Sequence, residues 1–93
     1  MDRKDRPESA FDTWSQSVVV EIQHEGENGH LVISNTSDAA ECLAQLWPDL
    51  ESPEFARARV MCDMALKGQL EHAQARSAFV EAAQEAEIMV PLH

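Results

Sequence analysis

The stretch SVVVEIQHEGENGHLVIS, residues 17–34, contains two apolar segments separated by a turn sequence. In the first segment Val18, Val20 and Ile22 alternate with the residues between them, which is the two-residue period of a half-buried strand. The turn HEGENG, residues 24–29, has two glycines and an asparagine, which accept the positive φ that hairpin loops require. The HLVIS that follows has the composition of a return strand. The stretch therefore predicts a β-hairpin.

A first helix is predicted between the hairpin and Pro48. Thr36 or Ser37 can cap the free N–H groups at its start. Pro48 cannot continue the helix, so Trp47 closes it, and we expect the indole to cover the edge of the core. The apolar residues at helical spacing are Ala39, Cys42, Leu43 and Leu46.

A second helix has clear signals at both ends. Ser52 is a natural N-cap and Pro53 suits the first helical position. The helix is expected to run to Lys67, with Gly68 as the left-handed residue that ends it. On a helical wheel the predicted core residues share one narrow arc: Phe55, Ala58, Cys62, Ala65 and Leu66.

A third helix is predicted over residues 70–86, with Phe79 filling the gap that its many alanines leave. Ile88 and Val90 are expected to form a short third strand, and Glu87 stands where a glycine would end the helix more comfortably. The face predicted to be buried comprises His72, Ala75, Phe79, Ala82, Ala83 and Ala86.

The fold class that these elements predict is α+β. We expect residues 1–10 to be a disordered, solvated tail, because they have mixed charge and no apolar anchor. Residues 11–93 are expected to form a single compact domain, in which an N-terminal β-hairpin and the short C-terminal strand pack against three α-helices.

The distribution of charge limits the classes of partner. The net charge is −10, and residues 11–56 contain nine acids and no lysine or arginine. Because nucleic-acid affinity comes largely from lysine and arginine, we expect no nucleic-acid partner. No apolar run approaches the length of a membrane span or a signal peptide. The two cysteines, Cys42 and Cys62, are too few for a disulfide framework, so we expect a cytoplasmic location.

The stretch CDMALKGQLEHAQAR, residues 62–76, brings several reactive residue types together. A nucleophilic cysteine needs an exposed and activated thiolate. Cys62 lies instead at the centre of the apolar stripe, and His72 follows the turn at Gly68. We therefore predict no catalytic residue, no cofactor and no enzymatic activity.

Two groups of residues have side chains of the types that bind metals. Cys42, Cys62 and His72 lack the paired short spacings of structural zinc sites. His24 and His30 flank the hairpin turn and could form a shallow site with the neighbouring glutamates. A solvated turn explains that pattern better, so no metal ligand is predicted.

Apolar residues also occur on the faces that point away from the predicted core. Val60 and Met64 lie on the outer side of the second helix, and a small sheet leaves an edge that can pair with another chain. The candidate interaction surface comprises Val60, Met64, Arg57, Lys67, Val19 and Val32. We predict a non-enzymatic interaction or regulatory module that binds an unknown protein or a second copy of itself. The alternative is a small-molecule or metal-binding protein with a pocket between sheet and helices.

Four motifs follow one another in the C-terminal two-thirds: L-W-P at 46–48, C-x-x-A-L-x-G at 62–68, A-R-x-A-F at 75–79 and A-A-x-E-A at 82–86. With the preceding strands, residues 14–90 resemble a family of small alphaproteobacterial, chiefly rhizobial proteins, the domain-of-unknown-function family numbered nine-eight-two. The resemblance implies a compact α+β domain with a hairpin followed by helices. It implies no activity, cofactor or catalytic residue.

The positions that match this family are mostly those predicted for the core and the helix ends. They are Trp47, Cys62, Leu66, Gly68, Ala75, Arg76 and Phe79. Arg76, at the margin of the core, is the exception. We expect it to act as a structural clamp that binds a carboxylate or carbonyl of the loop after Trp47, in preference to a ligand.

Overall fold

Three helices and a three-stranded antiparallel sheet make up the fold in the computed structural model, which describes residues 13–24 and 26–90. The α+β class is therefore confirmed, while the predicted tail over residues 1–10 lies outside the described residues. The elements in chain order are β1 (Thr13–His24), β2 (Glu27–Asn35), α1 (Thr36–Gln45), α2 (Pro53–Leu66), α3 (His72–Glu85) and β3 (Met89–Val90).

The sheet has the strand order β2-β1-β3, so the predicted hairpin and third strand are both present. Val19 of β1 pairs with Val32 of β2 on one side and with Val90 of β3 on the other. The hairpin turn is tighter than predicted, because Asn28 and Gly29 belong to β2. Among the described residues of the turn, Gly26 has a left-handed φ, at +82°.

Strand β1 begins earlier than the alternating pattern predicts. Its register with β2 shifts between Thr13 and Val18. Such irregularities bend a strand and redirect its side chains. Here the shifted segment contains Trp14, which is buried in the core. The alternation of Val18, Val20 and Ile22 on the buried face is confirmed.

The helix ends follow the predicted chemistry at α2 but not at α1. Ser52 caps α2 by accepting a hydrogen bond from the backbone N–H of Phe55, at 3.0 Å. The N-cap of α1 is Asn35, whose side-chain oxygen accepts from the N–H of Asp38, at 2.7 Å. The prediction of Thr36 or Ser37 as the cap was therefore wrong. Asparagine caps as well as serine does, and the apolar pattern does not distinguish neighbouring positions.

Both left-handed helix ends lie where the sequence placed them. Gly68 has a φ of +78° just after α2. Glu87 has a φ of 62° just after α3, a conformation that costs a side-chain-bearing residue roughly 1 kcal/mol or more. The cost is offset where the chain turns directly into β3, because the N–H of Ile88 donates to the carbonyl of Ala83 at 3.0 Å.

Three aromatic rings meet at the centre of the core. The ring of Phe79 lies 5.7 Å from that of Trp14 and 5.4 Å from that of Trp47, measured between centroids. Trp47 is also stacked on Phe55, at 6.3 Å. Phe79 and Cys62 are buried as predicted. Trp47 was expected at the edge of the core, but it is 5% exposed and lies against Phe79. Leu66 is 44% exposed, so its assignment to the core was wrong.

The helices occupy two positions relative to the sheet. Helix α1 contacts β2, and α3 contacts β1 and β3. Helix α2 packs mainly on α3 and α1 instead. The outer side of α2 and the outer face of the sheet are therefore separate surfaces.

Candidate functional site

Both thiols lie inside the helical core. Burial raises the pKa of the Cys62 thiol to about 12 and that of the Cys42 thiol to about 11. A cysteine nucleophile reacts as the thiolate, and these groups stay protonated at neutral pH. The geometry does not make Cys62 an activated nucleophile.

The imidazole of His72 is bound to a threonine. Its Nδ1 lies 2.7 Å from Oγ1 of Thr36, and the same oxygen accepts a hydrogen bond from the indole N–H of Trp14 at 3.0 Å. The Thr36 hydroxyl can both donate and accept, and which atom donates in its hydrogen bond with His72 depends on the tautomer of the imidazole. This chain of hydrogen bonds links β1, α1 and α3. Sequence reasoning missed it, because it treated Thr36 only as a cap.

Replacing Thr36 with valine is expected to lower the free energy of unfolding by about 1–3 kcal/mol, because it leaves the buried N–H of Trp14 without a partner. Chemical denaturation measures the loss. The same change in a Trp14→Phe background should cost clearly less, because that background has no N–H to satisfy. Equal losses in the two backgrounds would contradict the role of the hydrogen bond.

Replacing Cys62 with serine is expected to cost about 1–2 kcal/mol of unfolding free energy, because a hydroxyl is then buried in place of a thiol. Thermal and urea denaturation of the two proteins would measure it. Cys62→Ala is the control, since it removes the thiol without burying a hydroxyl. A serine variant as stable as wild type would mean that the site is open to water.

Arg76 joins two elements by a hydrogen bond, but its partner is not the predicted one. Its Nε donates a hydrogen bond to the backbone carbonyl of Gln16, at 2.9 Å. Gln16 lies in the irregular part of β1, so the contact ties α3 to β1. The expectation of a partner in the loop after Trp47 was wrong, because the shifted segment of β1 was not foreseen.

The described residues contain no group of three or more histidine, cysteine, aspartate or glutamate side chains placed to share a metal ion. The hairpin site weighed above depends partly on His24 and Glu25, whose side chains lie outside the described part of the chain. His30 is exposed in β2.

The first part of the candidate interaction surface is the outer side of α2, here called the α2 face. It comprises Val60 and Met64, with Arg57 and Lys67 at its borders. Val60 is 57% exposed and Met64 is half-buried. Arg57 forms an ion pair with Glu81 of α3, at 2.6 Å, and Lys67 forms one with Asp63, at 3.0 Å.

The loop before α2 extends this face. Leu50 is 62% exposed and was missed, because no periodic pattern includes an isolated apolar residue in a loop. Beside it lies a groove of about 470 Å³ lined by Leu50, Phe55, Ala56, Arg59, Val60 and Asp63. The guanidinium of Arg59 lies 5.8 Å from the centre of the Phe55 ring.

The second part lies on the outer face of the sheet. Val19 and Val32 are directly paired, and Val90 pairs with Val19 from the other side. Directly paired residues share a face, so these three valines form one outward row across the sheet, here called the valine row. The structure does not bring this row together with the α2 face.

A larger groove, of about 490 Å³, runs between β2 and α1. One wall is Leu31, Val32 and Ile33 of β2. The opposite wall comprises Asp38, Glu41, Cys42, Gln45 and Leu46. The alternative prediction, a small-molecule or metal-binding protein, places its pocket in this region, between the sheet and the helices.

Comparison with known proteins identifies the family. In the described part of the chain, no helix is long and apolar enough to cross a membrane. Neither a curated protein nor a solved structure matched the chain. A family model did match, over residues 18–90, which takes in both grooves and all three helices. The chain belongs to the family described as protein of unknown function (DUF982).

Proposed function

We propose that the protein is a non-enzymatic, cytoplasmic interaction module whose α2 face binds a second copy of the chain. The observation that carries the proposal is the exposure of apolar side chains there, with Val60 57% and Leu50 62% exposed beside a groove. Exposed apolar side chains gathered at a groove are typical of contact surfaces.

The charges around the α2 face favour a second copy as the partner. The cations at its borders, Arg57 and Lys67, are each paired with an acid of the same chain. Exposed pairs of this kind add little stability. They do neutralise Arg57 and Lys67, so two copies can meet there without opposing these two cations, while Arg59 lies over the Phe55 ring.

The buried thiols support a role without catalysis. Their raised pKa values keep Cys42 and Cys62 protonated at neutral pH. Both are free cysteines, which suits a reducing compartment such as the cytoplasm. The family is described as one of unknown function, so it supplies no activity to carry over.

The double variant Val60→Asp with Met64→Lys should abolish self-association while the fold stays intact. We expect the wild-type mass in solution to rise towards twice the 10.4 kDa of one chain as concentration increases, and the variant to stay at the mass of one chain. Sedimentation equilibrium measures the mass, and circular dichroism checks the fold.

The matched control is Val32→Asp, which places the same charge at an equally exposed valine on the sheet. This control should associate as the wild type does. A wild-type protein that stays monomeric up to millimolar concentration, or a double variant that still dimerises, would overturn the proposal.

A further inference from the structure

Strand β2 is an edge of the sheet that the sequence does not block. Among the described residues it pairs on one side only, with β1. Its nine residues, ENGHLVISN, include neither lysine nor proline, the residues that proteins commonly place on edges to prevent pairing with other chains. Within residues 13–24 and 26–90 no second strand pairs with this edge, so it can accept an added strand.

The groove between β2 and α1 lies along this edge. Its strand wall consists of three consecutive residues, Leu31, Val32 and Ile33. Successive side chains of a strand point to opposite faces of the sheet. A groove that touches all three therefore follows the edge of the strand and not one face alone.

The two sides of the edge differ in chemistry. On the side covered by helices, α1 presents Asp38 and Glu41 to the groove. On the other side the valine row ends at Val32. A strand added beside β2 would place alternate side chains on these two sides. One set would meet carboxylates and the other set would extend the valines.

We propose that the β2 edge binds an extended segment of another protein that has basic residues at every second position and β-branched residues between them. Main-chain hydrogen bonds to β2 provide affinity, and the alternating side chains provide specificity, as in other cases of strand addition. The basic side chains bind Asp38 and Glu41, while the β-branched ones pack beside Val32. This site is separate from the α2 face and does not depend on self-association.

Charge argues against a second copy as the occupant of this edge. If β2 paired with β2 of another copy, the acidic walls formed by the two α1 helices would flank the same new sheet. Residues 11–56, which contain both walls of the groove, have no lysine or arginine to compensate. Like charges brought together oppose association, whereas a basic segment is attracted.

The probe is an end-capped octapeptide that alternates lysine with valine or threonine, labelled with a fluorophore and titrated by anisotropy. A second peptide keeps all its lysines but has proline at the other positions, so it retains the charge and cannot pair as a strand. A third replaces the lysines with glutamates. We expect binding of the first peptide only, and slower amide exchange by NMR at alternate residues of β2 when it is bound.

Three variants locate the site. Asp38→Asn with Glu41→Gln should weaken binding about tenfold, as expected for the loss of two modest charge interactions. Val32→Lys, which puts a cation on the edge, should weaken it at least as much. Val60→Asp with Met64→Lys should bind normally, so a failure of the self-association proposal is distinguishable from a failure here.

Four results would overturn the proposal. Equal binding of the lysine–proline peptide would show that only charge is recognised. Unchanged affinity in both groove variants would place the peptide elsewhere. If the wild type dimerises but Val32→Lys does not, the β2 edge is the contact between two copies of the chain. Absence of binding by the alternating peptide at 0.05 M salt, where charge attraction is strongest, would exclude a basic strand.

Discussion

Replacing Phe79 with alanine is expected to lower the free energy of unfolding by about 3–5 kcal/mol, as for other large-to-small changes in a packed core. The side chain is fully buried and contacts the rings of both tryptophans, Trp14 and Trp47. Its removal therefore leaves a cavity between two large rings that cannot easily collapse. Because small domains have total stabilities of about 5–15 kcal/mol, the change would remove a substantial part of the stability of the fold.

Urea denaturation followed by tryptophan fluorescence measures this loss, since both tryptophans lie against the substituted residue. Gln84→Ala is the matched control, because Gln84 is exposed on the same helix, and it should change the free energy by less than about 0.5 kcal/mol. Phe79→Leu should fall between the two. A loss below about 1 kcal/mol for Phe79→Ala would mean that α3 presents a different face to the core.

Alkaline pH is expected to destabilise the fold through its two thiols. Burial raises the pKa of Cys42 from 9.0 to about 11 and that of Cys62 from 9.0 to about 12. Below pH 9 both thiols are protonated in the folded and the unfolded chain. Above pH 9 the unfolded chain loses these protons while the folded chain keeps them, so the unfolding free energy falls as pH rises, until the folded thiols also ionise. The slope for both thiols together is about 2–3 kcal/mol per pH unit at most.

Urea denaturation at pH 8, 9, 10 and 11 tests this dependence. The chain has no tyrosine and two lysines, Lys4 and Lys67. The variant Cys42→Ala with Cys62→Ala should be less stable at pH 8 but should show a much flatter dependence above pH 9. Lys67→Arg is the control, and it should retain the wild-type slope. If the double cysteine variant were as pH-sensitive as the wild type, groups other than the two thiols would cause the loss of stability above pH 9.

Local patterns predicted the elements and the family, because both depend on residues close together in sequence. The alternation of Val18, Val20 and Ile22 and the signals at Ser52 and Gly68 each concern a few neighbouring positions, and the structure agrees with them. The family match over residues 18–90 confirms the resemblance drawn from four short motifs. Such patterns indicate which residues are buried and where an element begins or ends, and they do so without any information on residues distant in sequence.

The contacts that sequence reasoning missed depend on packing between elements. Leu66 falls on the apolar arc of α2, but it is the last residue of that helix and remains partly exposed. A helical wheel shows the direction in which each side chain points from the helix axis. It does not show how far the neighbouring elements extend along the helix. Likewise, the partner of Arg76 and the hydrogen bond of Trp14 to Thr36 depend on the register shift in β1. No local sequence pattern predicts that register shift.

The sequence predicted individual apolar residues on the outer surfaces, but it did not predict which of them lie together. Val19 and Val32 were expected on the outer side of the hairpin, and they are paired there. Val90 joins them only because β3 pairs with the opposite side of β1. Predicting the groove beside β2 requires the distance between β2 and α1. Neither element's sequence contains that distance.

The short third strand also determines when the sheet can be completed during synthesis. Strand β1 becomes the central strand only when Met89 and Val90 pair with Val20 and Val19. On the ribosome, β1, β2 and all three helices are made before those two residues. Until then one side of β1, with its three successive valines, remains unpaired, and exposed strand edges of this kind favour aggregation in nascent chains. A chain truncated before residue 89 is therefore expected to aggregate more readily than the full chain.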